Sequence, residues 1–298
     1  MQFEWQKSSL IIKLFMKIDS LPPLRDIISK FDLNAKKSLG QNFLYDLNLT
    51  SKISQLNGSV QGHTVLEVGA GPGALTRGLL ASGAKKVIAI EKDKRFIEPL
   101  KEIAEYHSGK LIIIKKDALE FDLNEITDTK NLKIISNLPY NIGSELLVKW
   151  LTPQKWPPLW KDMTLMFQKE VADRIVAKPN TKAYGRLSIL SQWRTTAKIK
   201  MLVPPEAFNP RPKVQSAIVT INADQKIDHT ISPALLERIV KLGFGQRRKM
   251  LRSSLKSYNN IEFHIKNIGL LPTLRAEDLS VTDWCCLAKS ISVAEKLT

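Results

Sequence analysis

The stretch "TVLEVGAGPGALTRGLLA", residues 64 to 81, decides the fold. A short β-rich run ends in three glycines, Gly69, Gly71 and Gly73, and a helical segment begins directly after them. Between a strand and a helix, missing side chains let the backbone approach a ligand closely. "GAGPGA" also satisfies the relaxed dinucleotide fingerprint, so the glycines alone do not separate one nucleotide from another, or a nucleotide from tight packing.

The flanking sequence extends the pattern. "KVIAIE", "KRFIEPLKEIA", "LIIIKKD" and "LKIISN" continue an alternation of β-rich and helical runs, which predicts a doubly wound, mostly parallel sheet. In such sheets ligands sit beyond the carboxyl ends of the strands. Each predicted strand ends in a polar or glycine position: Gly69, Glu91, Asp117, Asn137. Next come "MTLMFQ", the helices "KEVADRIVA" and "LSILSQWRTTA", and the segment "PPEAFNPRPKVQSAIVTI". X-Pro turns precede an alternating strand in that segment, which is expected to close the sheet. From about Asp224 the pattern is helical, including "RRKMLRSSLKSY". The organisation expected is an N-terminal extension (1–20, with Met16 as an alternative start), a main domain (21–223) and a small helical domain (224–298).

Forty-five Lys and Arg against 29 Asp and Glu leave a charge of +16, a surplus that points to a polyanion, nucleic acid first. No run reaches the ~18 to 20 apolar residues of a membrane helix. "SSLIIKLFMK" is short, broken by Lys13 and without a small-residue cleavage site, which argues against a secretory signal. Cys285 and Cys286 are adjacent, and His63, His107, His229 and His264 are scattered, so neither a metal site nor a disulfide framework is expected. Two free thiols suit a reducing cytosol.

Glu91 stands about twenty residues beyond the glycines, where a carboxylate can accept both ribose hydroxyls. Asp117 is placed to accept from an adenine amino group; either acid can alternatively cap a helix. Together they suit an adenosine-bearing cofactor without a pyrophosphate. S-adenosylmethionine is such a molecule, and nothing marks the nicotinamide half that NAD would need.

"ISNLPYNI", 135 to 142, sits on the fourth tip. The exocyclic amine of adenine is a poor nucleophile because its lone pair is delocalised into the ring. The Asn137 side-chain carbonyl and the Leu138 backbone carbonyl can each accept an N6 hydrogen and aim that lone pair at a methyl group. Pro139 fixes the turn, and Tyr140 can stack on an unpaired base. Phe208 is the candidate for the opposite face, with a buried hairpin aromatic as its alternative. Positioning and electrostatics then carry the reaction without a tuned general base.

The chain resembles the ribosomal RNA adenine N6,N6-dimethyltransferases, most closely those acting on small-subunit rRNA. The resemblance rests on "KSLGQNFLYD" (37–46), "LEVGAGPGALT" (66–76), "IEKD" (90–93), "NLPYNI" (137–142), "FQKEVADRI" (167–175), "YGRLSIL" (184–190), "FNPRPKVQSA" (208–217) and "FGQRRKMLRSSL" (244–255), in order. It implies a Rossmann-like class I methyltransferase sheet with a small C-terminal all-helical domain. By position it implies that Gln41, Asn42 and Leu44 lie over the cofactor, with Gly69 as loop contact, Glu91 as ribose ligand, Asp117 as adenine ligand and Asn137 between cofactor and base; Gly71 belongs to the same loop. It further implies a cytoplasmic enzyme, expected to be a monomer. Its substrate would be two adjacent adenosines in a hairpin near the 3′ end of 16S rRNA, in the small subunit or its late assembly intermediate.

Arg247, Arg248, Lys249 and Arg252, with Lys256, are expected on one or two faces of a helix as a phosphate track, and Arg186 is a second candidate. Three rivals are weighed: a large-subunit rRNA enzyme, which the cofactor motifs do not separate; a DNA adenine methyltransferase, against which the lack of a separate base-reading domain counts; and a non-catalytic assembly or transcription factor that keeps the fold, against which the intact Asn137 to Tyr140 with Glu91 and Asp117 counts.

Overall fold

A computed structural model describes residues 20–36, 39–127, 131–224 and 231–295. The N-terminal extension read from the sequence falls almost wholly outside them. Nine strands are described: β1 (Phe43–Leu44), β2 (Thr64–Val68), β3 (Lys86–Glu91), β4 (Leu111–Lys115), β5 (Leu132–Asn137), β6 (Trp160–Gln168), β7 (Thr195–Val203), β8 (Phe208–Asn209) and β9 (Ser216–Ala223). The helices are α1 (Leu24–Lys30), α2 (Leu47–Gln55), α3 (Ala74–Ala81), α4 (Ile97–Tyr106), α5 (Gly143–Leu151), α6 (Lys169–Ile175), α7 (Arg186–Trp193), α8 (Pro233–Gly245), α9 (Leu251–Ser254), α10 (Ile261–Asn267) and α11 (Val281–Glu295).

Seven strands form one sheet in the order β4-β3-β2-β5-β6-β9-β7, and β1 pairs with β8 separately. The contacts β4-β3, β3-β2, β2-β5 and β5-β6 are parallel. The predicted strand tips therefore point the same way. The main correction lies at the other end of the sheet: β9 does not close it but lies between β6 and β7. Burial explains this, because Ser216 to Ile221 of β9 are all buried while β7 leaves Thr196, Lys198, Lys200 and Leu202 exposed. Alternation with lysines on the outward face suits an edge, since a charged edge resists further pairing.

Helix α7 ends at Trp193, with β7 beginning two residues later, so the helix expected to run through "RTTA" is shorter. Three helices, α1, α2 and α5, add to those expected from the sequence pattern. α2 is started by Asp46, whose carboxylate accepts from the Asn48 N–H at 2.8 Å, and it buries Thr50, Ile53 and Ser54.

Two compact units emerge. The first holds residues up to Ile142 with Leu159–Phe167 and Lys200–Thr220; the second holds Gly143–Pro158, Gln168–Ile199 and Ile221 onward. The segment 224–298 lies inside the second, which also draws in α5, α6 and α7. The reason is packing: Tyr184, Ile189, Leu190 and Trp193 share an apolar core with Leu236, Ile239, Val240, Leu251, Trp284 and Leu287. In the first unit, Val65, Leu79, Val87, Leu100 and Ile135 form the core that fixes the sheet under its helices.

One buried ion pair joins β5 to β6 at the end of the sheet away from the strand tips. Lys133 on β5 faces Asp162 on β6, with Nζ 2.8 Å from the carboxylate and the two side chains only 4% and 5% exposed. Nζ also donates to the Asn57 carbonyl. Truncating one partner leaves an uncompensated buried charge, which costs about 3 to 5 kcal/mol. Urea unfolding of Lys133→Ala should show a loss of that order, with Asp162→Ala similar; a loss below ~1 kcal/mol for either would mean that the pair does not hold the two strands together.

Candidate active site

A cavity in the first unit opens at the tips of β2 to β5. Its lining includes Gln41, Asn42, Leu44, Gly69, Gly71, Glu91, Asp117 and all of Asn137 to Tyr140. Eleven of the sequence-predicted positions thus come together around one space. Phe208 and the five cations Arg186, Arg247, Arg248, Lys249 and Arg252 are not part of this lining.

The glycine loop is shaped by close approach. Gly69 has φ +71, and a Cβ there would sit 3.1 Å from the Pro139 ring, so the loop and the "NLPY" turn touch. Gly73 has φ +92, and a Cβ would lie 2.2 Å from Ile103 Cδ1 of α4. The left-handed backbone disfavours a side chain at that position, and the Ile103 side chain would have to turn aside to admit one.

Glu91, only 6% exposed, accepts from the Gly71 N–H through Oε2 and from the Asp93 N–H through Oε1, both at 2.8 Å. Burial raises its pKa above the ordinary carboxylate range, while these two backbone bonds oppose the rise. Each oxygen keeps a further lone pair at the cavity wall, the acceptor set that a ribose diol requires. Asp117 accepts from the Leu119 N–H at 3.0 Å through Oδ1 and from Lys92 Nζ at 2.5 Å through Oδ2. Burial beside apolar Ala118 and Ile90, with carboxylates spaced along the rim, fits an adenosyl group.

Asn137 ends β5 and donates from Nδ2 to the Asn42 carbonyl at 3.2 Å. With its amide nitrogen held in this way, Oδ1 is the atom left to accept. The Tyr140 hydroxyl shares a hydrogen bond of 2.6 Å with Ser216 Oγ, and burial raises its pKa. Phe208 is 5% exposed, pairs in register with Leu44, and packs in the core of the unit. As it stands its ring offers no open face to a base.

Several residues of the site escaped sequence reasoning. Glu67, 2% exposed, lines the cavity and accepts from Thr76 Oγ1 at 2.6 Å. Asp93 accepts from Arg95 Nε and Nη2 and from Gln41 Nε2, and the guanidinium holds its pKa down at about 2. A polar residue inside an apolar strand, as in "VLEV", was the available signal for Glu67. The Gln41 to Asp93 contact spans 52 residues and leaves no local mark.

The basic run corrects another expectation, because residues 246 to 249 form a turn between α8 and the four-residue α9. Tertiary bonds override helix propensity here. Arg247 is ion-paired with Glu277 and also donates to the carbonyls of Thr181 and Lys182, while Met250 bridges to Arg275. Arg248, Lys249 and Lys256 are exposed. Arg252 approaches Glu262 at 3.6 Å, and Arg186 is ion-paired with Glu237 at 2.8 Å. Among the described residues no three His, Cys, Asp or Glu side chains gather as a metal site, and no helix is long and apolar enough to cross a membrane.

The family model for ribosomal RNA adenine dimethylases matches residues 32–292. The chain belongs to that family. It is 54% identical over 94% of its length to a protein of Paracoccus denitrificans named ribosomal RNA small subunit methyltransferase A, covering 99% of that relative. A protein of the same name from Dinoroseobacter shibae is also 54% identical, over 93% of this chain and 99% of its own length. Among solved structures, a dimethyladenosine transferase from Plasmodium falciparum matches with a TM-score of 0.71 and 27% identity, over 85% of this chain and 98% of that one. The 23S rRNA methyltransferase ErmE shares the fold, with a TM-score of 0.61 at 24% identity over 84% of this chain and 100% of its own. As a member of this family the chain is an S-adenosylmethionine-dependent methyltransferase of rRNA adenine, on the class I methyltransferase sheet.

Burial pushes the Glu67 pKa from its ordinary 4.5 up to about 8, and the Thr76 hydrogen bond offsets part of the rise. Between those values the folded protein holds a proton that the unfolded chain has released, so stability falls as pH rises through the window and the loss is complete above it. The wild type should lose on the order of 2 to 5 kcal/mol to this group between about pH 5 and 8. Glu67→Gln, which cannot ionise, should show a correspondingly flatter profile in urea unfolding across that range; equal slopes would show that Glu67 ionises freely in the fold.

Proposed function

We infer that this chain dimethylates the N6 amines of two adjacent adenosines in a hairpin near the 3′ end of 16S rRNA. It acts on the small ribosomal subunit or a late assembly intermediate, as a monomer in the cytoplasm. The observation that carries the reading is the Asn137 amide, whose nitrogen is committed to the Asn42 carbonyl and whose oxygen is left at the cavity wall as an acceptor. The small-subunit assignment is supported by relatives at 54% identity that are named for that subunit.

Bound in the cavity, S-adenosylmethionine supplies a methyl group on a sulfonium sulfur. Glu91 takes the two ribose hydroxyls and Asp117 the adenine amine, while Asn42, Leu44, Gly69 and Gly71 close on the ligand. The Asn137 Oδ1 and the Leu138 carbonyl each accept a hydrogen of the target N6, favouring a pyramidal nitrogen with its lone pair aimed at the methyl carbon. Transfer would form the new N–C bond as the S–C bond of the donor breaks, and the cationic amine would release its proton to solvent. Pro139 holds the turn. Tyr140, its hydroxyl tied to Ser216, supplies a stacking face worth about 1 to 3 kcal/mol against the cost of unstacking the base. Phe208 is assigned to holding β1, through its pairing with Leu44, rather than to a second stacking face.

The RNA surface is assigned first to Arg248 and Lys249, which are exposed on the turn after α8. Arg186 and Arg252 join it by exchanging exposed carboxylate partners for phosphate, a small change because such surface pairs contribute about 0 to 1 kcal/mol. Arg247 is assigned to holding the turn in place.

The test is transfer of labelled methyl groups to under-methylated small subunits, with large subunits and DNA as controls, followed by nucleoside analysis. Small-subunit N6,N6-dimethyladenosine is expected. Asn137→Ala should bind S-adenosylmethionine within about threefold of wild type and lose about 100-fold or more in transfer. Label on large-subunit rRNA would contradict the substrate assignment, and a fully active Asn137→Ala would remove the amide from the mechanism.

A further inference from the structure

The groups around Arg95 form a connected chain that no role assigned above uses. Arg95 binds Asp93 through Nε and Nη2, reaches the Gln41 Oε1 at 3.4 Å, and donates from Nη1 to the Asn34 carbonyl at 2.8 Å. Gln41 donates to Asp93 at 3.1 Å and accepts from the Lys36 N–H at 2.9 Å. Two further links run inward. The Asp93 N–H is one of the two donors on Glu91, and the residue after Gln41 presents the carbonyl that holds Asn137 Nδ2.

The segment carrying Gln41 and Asn42 is therefore fixed on one side to the tip of β3 and on the other to the tip of β5. Further along it is held by the two-residue pairing of β1 with β8, by the Phe43 ring, packed edge-on against Phe96 at 5.4 Å, and by Leu44 in the core. Without the Arg95 bonds, its cavity end would rest on two side chains that themselves need positioning.

We propose that Arg95 and Asp93 are positioning residues, a latch that holds the Gln41–Asn42 segment over the cofactor and through it orients the Asn137 amide. The proposal rests on the cofactor reading of the cavity. In it Gln41 acts through Asp93 and Arg95 as much as by touching the ligand. A guanidinium suits this role, because its planar fork grips the carboxylate through two parallel bonds while its other N–H groups reach the amide and a backbone carbonyl, whereas an ammonium is a point charge without that fork.

The test combines Arg95→Ala, Gln41→Ala and the double variant in the full chain, with two readouts. Amide hydrogen exchange over residues 39–44 in the ligand-free protein reports the latch itself, and calorimetric titration with S-adenosylmethionine reports its effect. Each single variant should exchange faster in that segment and bind about tenfold more weakly, and the double variant should be scarcely worse than either, because both remove the same latch. Affinity for small-subunit rRNA should be unchanged. Unaltered exchange, or Kd within about twofold of wild type, would overturn the proposal, as would single effects that multiply in the double variant. Should Arg95→Ala fail to fold, Gln41→Ala alone decides, since that side chain is only partly buried. A wild-type chain that binds no S-adenosylmethionine would instead contradict the cofactor reading, while the exchange measurement would still judge the latch.

Discussion

The carboxylate of Glu91 is the constraint on which the site depends. Burying an ionised carboxylate is costly unless hydrogen bonds replace its water. Two backbone N–H groups do so, one from the glycine loop at Gly71 and one from Asp93 beyond the same strand. The loop after β2 and the turn after β3 are thus joined through one side chain. The shape of the cavity follows, because a glycine loop free to move would not hold Gly69 against Pro139.

From that point the site is built by parallel pairing. β3, β2 and β5 are neighbours in register, so Glu91, Gly69 and Asn137 end at one level of the sheet. The Glu91 carboxylate and the Asn137 amide are then fixed by the same ladder, and the Lys133 to Asp162 pair keeps β5 aligned with β6 beyond it. Methyl transfer needs little acid or base chemistry, so most of the work is geometric. The proposed site agrees with that, since the groups offered at the end of β5 are an amide, a carbonyl, a proline and a ring.

How much of this the sequence shows depends on distance along the chain. Gly69, Glu91 and Asn137 were legible as rim positions because each interrupts an apolar run where a strand must end, and Asp117 because it follows such a run by three residues. The amide-to-carbonyl bond between Asn137 and Asn42 spans 95 residues, and nothing in either local sequence announces it. Arg95 reads as an ordinary surface cation until Asp93 and Gln41 are brought to it. The place of β9 was misjudged although its signal was present: an unbroken buried run belongs inside a sheet, and the alternating lysines of β7 belong at its edge. The basic stretch after Gly245 has helical composition and still forms a turn, because Arg247 and Met250 find partners outside the segment. Phe208 carried both of its readings in the sequence, and burial beside Leu44 decides for the core.

The central claim, that Glu91 both organises the glycine loop and receives the ribose, is tested most directly by titrating S-adenosylmethionine into Glu91→Gln. An amide at this position must turn its NH2 toward one of two backbone donors, so either the glycine loop or the turn after β3 loses its bond, and the ribose loses an acceptor. Affinity should fall about 100-fold or more relative to wild type, in a variant that remains folded. Binding within about twofold of wild type would contradict the account, and the ribose would then have to be held elsewhere on the rim.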